Sequence, residues 1–168
     1  KLAQQRRQAI FCYLWSEEFN YFMDFNLDDN GQTQVKSLAG VLPLFVGMAS
    51  VSQAQAISDT LEGEFLAKGG LITTAIHGAQ QWDAPNGWAP LHWFTVKGLL
   101  NYQQDGLAND VMRRWQNTVD SHFTKTGKLM EKYNVCHQSL VATGGEYDVQ
   151  EGFGWTNGVY QAFRVYLA

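Results

Sequence analysis

Acid–base chemistry in this chain of 168 residues would have to come from carboxylates. Five of them fall in stretches with no regular period: Asp83, Glu131, Glu146, Asp148 and Glu151. A pair of such groups in a cleft can break a glycosidic bond. One protonates the leaving oxygen, and the other attacks the sugar or activates a water. Asp59, Glu62 and Glu64 lie along a regular helical pattern and read as its solvated face. The stretch with the densest functional chemistry is Gln80-Gln81-Trp82-Asp83-Ala84-Pro85-Asn86-Gly87-Trp88-Ala89-Pro90. It has neither helical nor strand period, and its prolines and glycine restrict and punctuate the backbone. Trp82 and Trp88 offer flat apolar faces, while Gln81 and Asp83 offer hydrogen bonds at the same level. A sugar needs that mixture, a ring face to stack and hydroxyls to orient. The same loop would also serve as a stiff lead into a helix, its tryptophans plugging the core. Glu131, between Met130 and Lys132, has a similar alternative as a surface residue, and Gly144-Gly145-Glu146 has one as a surface turn.

These residues need elements to position them. The spacing predicts a helix over Leu2–Leu14, then a hairpin or extended loop through Trp15 to Gln34, turned at Asp28-Asp29-Asn30-Gly31. A second helix, apolar almost all round and therefore buried, is expected from Ser37 to Ser50, kinked or begun at Pro43. Ser52 is expected to cap a third helix striped by Ala54, Ile57, Leu61 and Phe65, which Gly69-Gly70 would end. Pro90 opens a fourth helix through Tyr102, with Leu91, Phe94, Thr95, Leu99 and Tyr102 on one face. Leu107–Thr124 is the most regular, with Leu107, Val111, Trp115, Val119 and Phe123 at every fourth position and Gly127 at its close. Lys128 to Gly154 shows no sustained period. A loop that long which carries aromatics and carboxylates reads as functional. A last helix runs from Thr156 or Asn157 to Leu167. Six helices with no strand long enough to build a sheet make the fold all-α.

Composition narrows the rest. One domain is the default at this length. Aromatic content of 14% and charge of 17% suit deep packing or an aromatic cleft and exclude disorder. A net charge of −4 without a basic stripe argues against a nucleic-acid partner. Apolar runs are too short for a membrane span. Cys12 and Cys136 form no C-x-x-C, and His77, His92, His122 and His137 show no ligand spacing, so neither a metal nor another cofactor is expected.

Gln81-Trp82-Asp83-x-Pro85-x-Gly87-Trp88-Ala89-Pro90 resembles a signature of the trehalases, the glycoside hydrolases that split α,α-trehalose into two glucoses. Gly69-Gly70-Leu71 before it also resembles that family. So do Gly144-Gly145-Glu146-Tyr147 and Gly152-Phe153-Gly154-Trp155-Thr156-Asn157-Gly158-Val159 after it, in the same order. The resemblance implies an (α/α)6 toroid of helical hairpins, of which residues 1–168 form roughly half, the C-terminal part of one catalytic domain. It implies trehalose as the substrate and the missing N-terminal part of the enzyme as the partner. It leaves the compartment between periplasm and cytoplasm, with a lean to the periplasm. Leu129-Met130-Glu131-Lys132-Tyr133 is similar to the trehalase stretch whose Glu is the catalytic base, so Glu131 is expected to deprotonate the attacking water in an inverting mechanism. Lys132 favours the ionised carboxylate if it points inward. Gln81, Trp82, Asp83, Glu146, Phe153 and Trp155 are the implied substrate-binding residues. The family loop usually carries a longer glycine run and a Pro two residues after the Glu, where this chain has Asp148. The family's general acid, an Asp in a Gly-Trp-Asp segment, and its sugar-gripping arginines have no counterpart here. A non-catalytic sugar-binding half-toroid and another (α/α)6 glucosidase are the alternatives.

Overall fold

The structure, a computed structural model, describes residues 1–140, 142 and 147–168. Helix α1 (Leu2–Leu14) has no fully buried residue; only Ile10, Phe11 and Leu14 reach the core. The aromatic-rich stretch after it folds as two small antiparallel ribbons. In the first, β1 (Trp15–Ser16) pairs with β2 (Tyr21–Phe22); in the second, β3 (Phe25–Asn26) pairs with β4 (Gly31–Gln32). Asn26 closes the second turn, its Oδ1 accepting from the Asp28 amide.

The expected helix through Ser50 is much shorter. A 3₁₀ turn, Leu38–Val41, runs into α2 (Leu42–Phe45), which has Pro43 in its first turn and ends there. Leu42 and Val46 are exposed, so the segment is not buried all round. Helix α3 (Val51–Thr60) is capped by Ser50 rather than Ser52. Ser50 Oγ accepts from the Gln53 amide and Gln53 Oε1 accepts from the Ser50 amide, a reciprocal box. Its stripe holds as expected: Ala54, Ile57, Leu61 and Phe65 are all buried.

Gly69-Gly70 does not end that helix. A π-helical turn, Leu61–Phe65, ends it, and the glycines belong to a hairpin between β5 (Leu66–Ala67) and β6 (Gly70–Leu71), Gly69 in its turn and Gly70 opening its second strand. Strand β7 (Asn86–Trp88) then leads directly into α4 (Ala89–Asn101), with Pro90 in the first turn. Helix α5 (Asp105–Thr126) closes on Gly127 in the left-handed region, φ 69°. Strand β8 (Lys132–Asn134) pairs antiparallel with β7, and α6 (Gly154–Leu167) completes the chain.

Helix α4 is the axis of the packing, in contact with α2, α5 and α6. Its buried face carries His92, Thr95, Val96 and Leu99; Leu91 and Phe94 sit at its margins. Gly98 allows α2 to come close, since a methyl there would meet Leu44 Cβ at 3.0 Å. Val111, Trp115 and Val119 of α5 and Phe163 of α6 fill the core beneath, whereas Phe123 at the end of the stripe is half exposed.

Candidate active site

The tryptophan loop is held by its own backbone. The Gln81 carbonyl accepts from both Asn86 Nδ2 and Trp88 Nε1, each at 3.1 Å. Three contacts tie its second half down: the Val135 amide donates to the Pro85 carbonyl, and the Thr73 amide and hydroxyl both donate to the Asn86 carbonyl. Trp82 stacks on Trp88 with ring centroids 3.9 Å apart and planes within 9°. Trp88 is buried, whereas Trp82 is 44% exposed, so the pair has one covered ring and one open face.

His92 locks the loop to the glycine hairpin. Its Nε2 accepts from the Leu71 amide at 2.8 Å, which leaves Nδ1 protonated and donating to the Trp88 carbonyl at 2.8 Å. The ring is wholly buried, and burial pushes its pKa down to about 4, so it is neutral. Gly70 has φ 137°, and a methyl there would strike His92 Nε2 at 2.4 Å. Gly69 is gripped as well. Thr118 Oγ1 donates to its carbonyl, and its amide donates to Val135.

The register Trp88↔Lys132 brings the second candidate stretch against the first. Glu131 lies at a bend just before β8, its amide donating to Gln150 and its carbonyl accepting from Trp155 Nε1 at 3.1 Å. Both Glu131 and Lys132 are buried. Lys132 Nζ donates to Glu131 Oε2 at 2.7 Å, and the Tyr147 hydroxyl donates to Oε1 at 2.9 Å. Lys132 Nζ also reaches Gln81 Oε1 at 3.4 Å and lies 4.9 Å from the ring centroids of both Trp88 and Tyr147. The aromatic row continues through Trp155, edge-on to Trp88 at 5.9 Å, to Phe153 at 4.8 Å from Trp155. Chemically, this is a shielded carboxylate held as an acceptor beside two exposed indole faces, Trp82 and Trp155.

Gln81, Trp82, Glu131, Phe153 and Trp155 are therefore brought together. Asp83 is turned into its own loop: Oδ1 accepts from Thr74 Oγ1 at 3.2 Å, and Oδ2 packs against Gly78. Glu146 lies outside the described residues. Asp148 is exposed, and Glu151 forms an exposed ion pair with Lys128. Tyr147 and His92 are contributors that sequence reasoning did not assign to the site, and Lys132, expected to act on Glu131 only if it pointed inward, does point inward. Only the helical phase of His92 with Thr95, Val96 and Leu99 hinted at its burial. Among the described residues, no group of three or more His, Cys, Asp or Glu could hold a metal, and both cysteines are unpaired.

A family model described as trehalase matches residues 1–166. The chain belongs to the trehalase family. It is 43% identical over 158 residues to a periplasmic trehalase of Xanthomonas campestris pv. campestris, covering 94% of this chain and 28% of that protein. It is 41% identical, with the same coverage, to a periplasmic trehalase of Salmonella paratyphi B. Among solved structures, the neutral trehalase of Saccharomyces cerevisiae superposes with a TM-score of 0.85 at 27% identity, over 99% of this chain and 30% of that one. A mannosylglycerate hydrolase of Thermus thermophilus shares the fold, with a TM-score of 0.68 at 20% identity, over 95% of this chain and 38% of that one. The chain thus spans less than a third of the length of the curated trehalases it matches, and its fold is a section of an (α/α)6 toroid. The two trehalase-like stretches Gln81–Pro90 and Leu129–Tyr133 are the ones that the β7–β8 pair sets edge to edge.

Proposed function

We propose that this chain is the base-bearing section of an inverting glycosidase that splits α,α-trehalose into two glucose molecules. The observation that carries the reading is the Glu131 carboxylate, buried among Lys132, Tyr147, Trp88 and Trp155 at the edge of the tryptophan loop. An ionised carboxyl group has about four lone-pair sites. Among the described residues Lys132 and Tyr147 engage two of them, and the remaining lone pairs would orient and deprotonate a water. Trp82 and Trp155 stack the sugar rings, Phe153 backs Trp155, and Gln81 and Glu146 bind hydroxyls. Asp83 holds the loop through Thr74 and binds a sugar hydroxyl through its remaining lone pairs.

The general acid comes from the part of the trehalase length that this chain does not span, and that part is its structural partner. In an inverting site the acid stands about 6.5–9.5 Å from Glu131, leaving room for the water. The relatives named periplasmic trehalases support a periplasmic location. No helix among the described residues is long and apolar enough to cross a membrane.

Proton NMR of the first products released by the complete protein tests the reading. Inversion at one of two α anomeric centres gives one α- and one β-glucose before mutarotation. Two α-glucoses would make Glu131 a nucleophile instead, and binding of trehalose without turnover would leave a sugar-binding half-toroid.

A further inference from the structure

Lys132 is an unusual side chain to find at full burial. None of its surface is accessible, and an ammonium taken out of water is unfavourable unless its surroundings replace the lost hydration. They do so from several sides. Glu131 Oε2 and Gln81 Oε1 accept from Nζ, and the faces of Trp88 and Tyr147 stand on either hand at 4.9 Å. Each of these partners belongs to a different part of the site: the carboxylate itself, the polar head of the tryptophan loop, the buried indole under Trp82, and the tyrosine that also holds Glu131 Oε1.

We propose that Lys132 is the positioning residue of this site, fixing the direction of the Glu131 carboxylate and tying it to the tryptophan loop through Gln81 and Trp88. The proposal rests on the glycosidase reading for its kinetic consequence and on the geometry alone for its structural one. A carboxylate flanked by an aromatic row has few polar partners of its own. With Lys132 at one oxygen and Tyr147 at the other, its plane is set, and the lone pairs left over point in one fixed direction. Without Lys132 one of the two side-chain donors on the carboxylate is lost, and Tyr147 alone leaves the carboxyl free to rotate. A purely space-filling role would be met by a neutral chain of similar shape.

The test compares Lys132→Met, Lys132→Gln and Lys132→Arg in the complete protein, each checked for native thermal unfolding. Met preserves the shape, Gln preserves a donor without charge, and Arg preserves the charge. Expected are a kcat of trehalose hydrolysis lowered roughly 10- to 100-fold in Met and Gln, a KM within about threefold of the parent, and substantial recovery of kcat in Arg. Crystal structures of Met or Gln should show the Glu131 carboxylate rotated away from Tyr147. This second readout does not depend on turnover, so it stands if trehalose proves not to be the substrate. If Met does not fold, Gln carries the comparison. Full kcat in folded Met or Gln, or an unmoved carboxylate in the variant structure, overturns the proposal.

Discussion

Glu131 shows how a residue whose immediate neighbours read as surface becomes a buried one. Flanked by Met130 and Lys132, it could have been a surface carboxylate. The bend before β8 instead buries it, and the ion pair with the next residue, the Tyr147 hydroxyl and the Trp155 indole N–H bonded to its carbonyl hold it there. Glu131→Gln keeps the size but cannot accept a proton. In the complete protein kcat should fall by ~10² or more with little change in affinity for trehalose. Steady-state kinetics together with calorimetric binding check this, and an unaltered kcat removes Glu131 as the base. Asp83 shows a second use of a carboxylate in the same loop: one oxygen accepts from Thr74, which anchors the loop to the segment before it.

At the level of elements, the glycine hairpin and α4 act together through His92. Its neutral ring bridges the Leu71 amide and the Trp88 carbonyl, and protonation at Nε2 would abolish the first of these bonds. The folded pKa, about 4, lies below the ordinary 6.5 of an unfolded histidine. The native state therefore binds fewer protons than the unfolded chain between those values. This contribution is fully present above pH 6.5 and is lost as pH falls through 4, with a span on the order of 3 kcal/mol. Urea unfolding at pH 7 and at pH 4.5 should show the loss, and His92→Gln, which can keep both hydrogen bonds, should flatten it. Gly70→Ala puts a methyl against the same ring at a backbone angle that alanine resists. A destabilisation of about 2 kcal/mol or more is expected, measured by the same unfolding curves at pH 7.

Over the whole molecule, the packing is lopsided. α4 is enclosed by α2, α5 and α6, whereas α1 has no fully buried residue. An apolar groove of about 330 Å³ lies between α1, the first ribbon and α2, lined by Ile10, Leu14, Phe22, Leu42, Val46 and Met48 among others. It shares no residue with the Glu131 cluster. Trp155, Val165 and Tyr166 of α6 are exposed as well. Both surfaces are what a section cut from a ring would show. The isolated 168-residue chain should therefore self-associate, and, on the proposed reading that places the general acid outside it, should hydrolyse trehalose negligibly, since such an acid typically contributes ~10²–10⁴-fold. Sedimentation velocity and a glucose-release assay on the purified chain check both. A monodisperse monomer with turnover would contradict them.

Periodicity was enough to place α3, α4, α5 and α6, because each buries a stripe whose spacing is written in consecutive residues: Ala54-Ile57-Leu61-Phe65 and Val111-Trp115-Val119 need nothing outside their own helix to be recognised. Periodicity placed α1 too, although that helix buries no residue fully. It overran at Ser37–Ser50, where a continuous apolar run reflects packing of a short turn against α4 and carries no information on helix length. It also assigned Gly69-Gly70 to a helix end, since the two glycines serve contacts with His92 and Thr118 that lie more than twenty positions away. The candidate carboxylate and tryptophans were legible as residue types. Which of them meet was not, because the meeting depends on the β7–β8 register. That register joins positions 88 and 132 across the whole of α4 and α5 and, with the bend at Glu131, turns inward a lysine whose orientation the sequence left open, making it the buried partner of the candidate base.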